Sequence, residues 1–227
     1  MILRSTLTSL LPSLAFAASL AASPVLTIDG PGFALDGQPF HLWGVRVASA
    51  TQSDALADEL IANLDHYRAH GINTVTVFYQ GSLGGNSDPF TLDGKALDPA
   101  HQARMERILQ ACAERRMVAI VGIFYQRVQE PRLRDWAAAR EAVRTVATAL
   151  RPHRHILLNV ANEQGSDHYD EQPWRRVRAP DDLIRLVRDI KQVDPARLVG
   201  AGGYAPSHNV ALGLAPEVDA LLYDHNS

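Results

Sequence analysis

Two hydrophobic periods alternate along this chain. Near-continuous apolar runs occur at HLWGVRV (41–47), INTVTVFY (72–79), MVAIVGIF (117–124), HILLNVA (155–161), RLVGA (197–201) and ALLY (220–223). Short runs of this kind, rich in β-branched residues, predict strands buried on both faces. Between them the apolar positions shift to helical spacing: Leu60, Ile61 and Leu64; Met105, Ile108, Leu109 and Cys112; Val143, Val146, Ala147 and Leu150; Leu183, Leu186, Val187 and Ile190. Each set forms one apolar stripe on an amphipathic helix. Ser53 or Thr51 can cap the first helix and Gly71 can stop it, while Asp98-Pro99 places a cap and an N1 proline before the second.

Ahead of this alternation, Val25–Ile28, Gly32–Leu35 and Pro39–Val47 read as short strands, with Asp36-Gly37 as a hairpin turn. The third of them is expected to continue as the first central strand. Strands alternating with amphipathic helices predict an α/β fold with parallel pairing and helices outside. Six strands fit either a doubly wound sheet or most of a (β/α)8 barrel. A dinucleotide-binding sheet should carry a glycine fingerprint after its first strand, but the residues there are Ala48-Ser49-Ala50-Thr51. The expected fold is therefore an incomplete (β/α)8 TIM barrel of about six β/α units behind an N-terminal β-hairpin. A Rossmann-like oxidoreductase is disfavoured by the same missing glycines.

Composition narrows the function. At 227 residues, 46% hydrophobic, 21% charged and a net charge of −3, the chain reads as one ordinary globular domain. It has no basic stripe for nucleic acid, since Arg115-Arg116 and Arg175-Arg176 are isolated pairs suited to solvated faces. Residues 1–24, MILRSTLTSLLPSLAFAASLAASP, have the layout of a secretory signal peptide. Arg4 precedes the apolar stretch, and Ala15-Phe16-Ala17 and Leu20-Ala21-Ala22 offer cleavage sites. The stretch is interrupted and too short for a membrane span. The mature domain, 25–227, is expected to be secreted or periplasmic, with no membrane association after cleavage. The lone Cys112 sits on a helical apolar stripe and reads as packing.

Chemistry gathers where the strands end. The strand ends read Phe78-Tyr79-Gln80, Phe124-Tyr125-Gln126, Asn162-Glu163 and Tyr223-Asp224-His225, and Arg46 lies within the first central strand. In a barrel these positions share one rim. Aromatic platforms beside amides and acids are what a sugar-binding cleft needs. Tyr79, Gln80, Tyr125, Tyr223, His225 and Arg46 are therefore candidate substrate contacts. His66 and His70 lie four apart on a helix, but no glutamate follows His66 as H-E-x-x-H chemistry requires, so a solvated helix end is expected. His153 and His155 flank a strand start at the far end of the barrel. The loop GSLGGNSD could offer backbone amides to a phosphate, but it lacks the lysine and the threonine or serine that a P-loop places after its glycines, and it reads as a flexible active-site loop. No cofactor or metal is expected.

FALDGQPFHLWGVRV, GINTVTVFYQG and NVANEQG together resemble clan A glycoside hydrolases, notably the cellulase-type enzymes of family 5. The likeness implies a retaining hydrolase of β-linked polysaccharide or oligosaccharide. It implies Glu163 as general acid/base and Asn162 as donor to the sugar 2-hydroxyl. Tyr223 and His225 resemble the pair the family places after its sixth strand, in reversed order. Two departures stand out. Thr76 occupies the place of a second-strand arginine that pairs with the nucleophile, which leaves Arg46 as a substitute. The nucleophilic glutamate belongs to a seventh strand, whereas this sequence reaches Ser227 just after the sixth, so a truncated and inactive barrel is expected. The competing expectation is a non-catalytic carbohydrate-binding protein on a shortened barrel, stacking sugars on Tyr79, Tyr125 and Tyr223.

Overall fold

The computed structural model describes residues 23–81 and 87–223. Nearly all of the expected leader, five positions of the GSLGGNSD loop and His225 lie outside these residues. Six parallel strands follow one another in chain order: β4 (Gly44–Arg46), β5 (Thr74–Phe78), β6 (Val118–Phe124), β7 (Ile156–Ala161), β8 (Leu198–Ala201) and β9 (Ala220–Leu221). A doubly wound sheet would reverse its order partway. This one never does, as expected of an incomplete barrel. The connecting helices are α1 (Asp54–Ala69), α2 (Pro99–Glu114), α3 (Trp136–Ala149), α4 (Pro180–Val193) and a short α5 (Pro206–Gly213). Ser53, Asp98 and Asp135 cap the first three through side-chain oxygens that accept from the third residue on.

In front lies an antiparallel sheet of β1 (Leu26–Asp29), β2 (Gly32–Leu35) and β3 (Gln38–Phe40). Asp36 (φ 51°) and Gly37 (φ 75°) both take the left-handed conformation that a two-residue hairpin turn demands. The continuous strand expected over Pro39–Val47 is instead two. Phe40 ends the antiparallel sheet, Gly44 opens the parallel one, and the chain turns a corner between them. Asn73 holds that corner. Its Oδ1 accepts from the Trp43 amide at 2.9 Å and its Nδ2 donates to the His41 carbonyl at 2.8 Å. Hydrophobicity alone cannot register such a bend, because Phe40, Leu42, Trp43 and Val45 keep the run apolar straight through it.

The pleat sorts side chains into two cores. One parity, including Val75, Val77, Tyr79, Val121, Ile123, Leu158 and Val160, packs against the helices. The other parity faces the barrel interior, where Val118, Ile120, Leu157, Leu198 and Leu222 meet Leu26, Phe33, Leu35 and Phe40 of the antiparallel sheet. That sheet plugs the barrel floor, and Leu26 donates its amide to Arg154 at 2.9 Å to anchor it. In the outer layer, Asp189 on α4 accepts from Arg140 Nε (2.6 Å) and Nη2 (2.8 Å) and from Arg144, tying α3 to α4. Cys112 is buried, and burial pushes its thiol up to about 12.

Two histidines are locked neutral inside the protein. His101 lies parallel to the Tyr79 ring at 6.0 Å, and neither of its ring nitrogens finds a partner among the described residues. Burial, then the Arg104 charge, depress it to about 4. His155 is likewise depressed to about 4, by burial first and then by His153 and Arg197. In the unfolded chain both would titrate near 6.5. Between about pH 6.5 and 4 the unfolded state binds more protons, so stability is complete above the upper value and drains as pH falls through the window. A shift of this size corresponds to at most about 3 kcal/mol per histidine. The melting temperature should therefore drop between pH 7.5 and 5, and His101→Leu should flatten that drop. A melting temperature indifferent to pH over this range would contradict the assignment.

Candidate active site

Three strand ends that are distant in sequence meet at the C-terminal mouth of the barrel. Arg46 stands opposite Thr76 in the register of β4 and β5, on the interior parity. Its Nη1 donates to Asn162 Oδ1 at 2.8 Å, while Asn162 Nδ2 donates to Gln126 Oε1 at 2.8 Å. A guanidinium can only donate, so the Asn162 oxygen must face it and the amide nitrogen must face Gln126. One amide hydrogen of Asn162 is left over. Arg46, expected as a substrate contact, thus also orients Asn162, and it does so beside the threonine that replaces the second-strand arginine.

The backbone explains how two neighbours can share one cleft. In an extended strand Asn162 and Glu163 would point to opposite faces. β7 ends at Ala161, and Glu163 adopts φ +48°, in the left-handed region. The turn breaks the alternation, and both side chains line the same cavity of about 230 Å³. Several contacts hold the strained turn. The Ser166 amide donates to the Glu163 carbonyl at 2.9 Å, and Tyr169 Oη donates to the Asn162 carbonyl at 2.7 Å. Tyr169 is fully buried, and burial followed by the nearby Glu163 charge raises its phenol far above the ordinary range, keeping it a donor. Gln164 bridges to Gly203, where a Cβ would fall 2.1 Å from the Gln164 carbonyl oxygen. The Glu163 carboxylate itself makes no hydrogen bond or ion pair among the described residues, and is the only carboxylate there that lines the cavity.

Strand parity separates the candidates. Tyr79 is not in the cleft: it has the parity of Val75 and Val77, is fully buried on the helix side, and donates its hydroxyl to Gln102 at 2.8 Å. Its neighbour Phe78 takes the cleft position instead. Gln80 is also fully buried and works as a brace, its Nε2 donating to Asp88 at 3.0 Å and its Oε1 accepting from the Tyr125 amide at 3.1 Å. Burial raises the Asp88 carboxyl above its ordinary value. Tyr125 stands half-buried, edge-on to Phe78 at 5.3 Å, outside the cavity wall. Tyr223 does line the cavity and is 54% exposed. Gln126, Tyr169 and Phe78 were not foreseen, although the parity of INTVTVFY, counted from Val75, would have exchanged Tyr79 for Phe78. A larger groove of about 620 Å³ runs between α1 and α2, on the outer layer away from every strand end. Among the described residues no three acidic, histidine or cysteine side chains converge as a metal site requires.

No protein-family model matches the sequence, and neither does any curated protein. Solved structures do match. The fold is similar to that of a glycoside hydrolase family 5 protein from Bacteroides vulgatus, at 16% identity and a TM-score of 0.61, over 87% of this chain and 43% of that one. It is also similar to the endo-1,4-β-mannanase of Rhizomucor miehei, at 14% identity and a TM-score of 0.63, over 87% of this chain and 70% of that one. A third likeness is to the β-mannanase of the blue mussel Mytilus edulis, at 17% identity and 0.57, over 81% and 64% respectively. The chain spans less than half the length of the Bacteroides proteins. The sequence's resemblance to family 5 is thus met by its fold, that of the barrel these hydrolases share.

The left-handed backbone at Glu163 is testable apart from any activity. A non-glycine residue there costs about 1–2 kcal/mol. Glu163→Gly should therefore stabilise the fold, or at least cost nothing, whereas Glu163→Ala should not. Chemical denaturation of the two variants would decide it; equal stabilities would mean the turn is unstrained.

Proposed function

We propose that the protein is a secreted glycoside hydrolase that cleaves β-linked polysaccharide with retention, using Glu163 as general acid/base. The observation that carries this reading is the fixed Asn162 amide beside Glu163 at the mouth of the barrel, turned into one cleft by the left-handed backbone. The names of the mannanases and family 5 proteins of similar fold support the substrate class.

On this reading the Glu163 carboxyl protonates the departing glycosidic oxygen as positive charge spreads over the sugar ring. The spare Asn162 amide hydrogen donates to the 2-hydroxyl, a contact that tightens in the transition state. Retention needs a second carboxylate ~5–5.5 Å away to form and then release a glycosyl ester. Glu163 is the only one lining the cleft among the described residues. The nucleophile is then supplied by a seventh strand that these residues do not include, with Arg46 placed to pair with it. Tyr223 flanks the sugar.

That Glu163 is the one carboxylate lining the cleft among the described residues also fits a second reading, a protein that binds carbohydrate without cleaving it. One comparison separates the two: the exported protein and its Glu163→Gln variant on mannan, β-glucan and xylan, followed by product analysis. Loss of an acid/base should lower turnover by about 10²–10⁴-fold while oligosaccharide binding persists. Binding with no cleavage in either protein, tested with the seventh strand present, would establish the non-catalytic reading.

A further inference from the structure

Below Asn162 in the barrel lies a polar group for which the fold has no use. Asn159 sits on the interior parity of β7, 9% exposed, and lines the same cavity as Glu163. Among the described residues its Oδ1 is buried without a hydrogen-bond partner and its amide nitrogen makes no hydrogen bond. Its neighbours offer none. In the strand register Asn159 stands between Gly122 and Gly200, and the space above these glycines is taken by the Phe78 ring and the Leu222 side chain. A carboxamide is thus held between two apolar groups, facing the cleft of about 230 Å³. Hydrophobic residues fill the corresponding interior positions nearer the floor, among them Leu157 on the same strand.

A buried acceptor without a partner destabilises a fold. An aliphatic side chain at position 159 would match Leu157 and remove that cost. Sites where a fold carries such a cost are characteristically sites of function. We infer that Asn159 is a ligand-recognition residue, accepting a hydrogen bond through Oδ1 from a sugar hydroxyl that reaches below Asn162. It supplies an acceptor at the floor of a cleft whose wall supplies donors, the Arg46 guanidinium and the Asn162 amide. This inference rests on the reading of the cleft as a carbohydrate site.

The test uses the whole protein and pairs stability with binding. Asn159→Leu keeps the branching at Cγ and removes the polar atoms; Asn159→Asp keeps the acceptor. Melting temperatures are measured without ligand, and affinities for β-1,4-mannotriose and cellotriose by calorimetry. Asn159→Leu should melt about 2–6 °C higher and bind the sugar about tenfold more weakly. Asn159→Asp should retain affinity within about threefold, as expected where the acceptor oxygen carries the contact. A lower melting point for Asn159→Leu would make Asn159 a structural residue and overturn the inference. Unchanged affinity in Asn159→Leu would overturn it while leaving the carbohydrate site intact. Wild-type protein that binds neither sugar would overturn the inference together with the reading beneath it.

Discussion

The pleat of a parallel sheet covered on both faces governs most of what this protein can do. Each strand gives alternate residues to the helices and to the barrel interior, and no residue can serve both. That division builds the outer core from Val75, Val77, Val121 and Val160, and the inner core from Val118, Ile120 and Leu157. It also decides which polar groups meet. Arg46, Thr76 and Asn159 share the interior parity and so share a cavity, whereas Tyr79 belongs to the helix layer. Where the alternation is broken after β7, at φ +48° in Glu163, the consecutive residues Asn162 and Glu163 face one space.

The site is assembled across large distances in sequence. Asn162 is held by Arg46, which lies 116 positions away, and by Gln126, 36 positions away. Parallel strands in chain order make this possible, because each crossover returns the chain to the same rim. Loops and backbone then refine it: Tyr169, in the turn after β7, reaches back to the Asn162 carbonyl, and Gln80 braces the loops after β5 and β6.

Much of the architecture was legible in the sequence because hydrophobic period reports burial directly. Six strands, helices α1 to α4 and the caps at Ser53 and Asp98 follow from apolar spacing and from side chains that satisfy exposed amides. The bend between Phe40 and Gly44 was not legible, since it depends on Asn73, which stands just ahead of the neighbouring strand β5. The pairing of Asn162 with Glu163 could be read as chemistry, but the left-handed turn that lets them cooperate could not. Tyr79 was misplaced for a simpler reason: an aromatic residue at a strand end suggests a platform, and its parity was not counted. Gln126, Tyr169 and Asn159 matter through their neighbours, which only the folded chain supplies.

One feature of the sheet bears on how the protein would fail. Arg46, which fixes the orientation of Asn162, rides on β4, a strand of only three residues that pairs, among the described residues, with β5. Short strands with few ladder hydrogen bonds and exposed backbone open locally at a fraction of the free energy needed to unfold a core. As temperature rises, β4 would fray while the strands from β5 to β8 remain paired. The amide of Asn162 would then lose its fixed direction within a barrel still largely intact, and the cleft would lose its order before the fold melts.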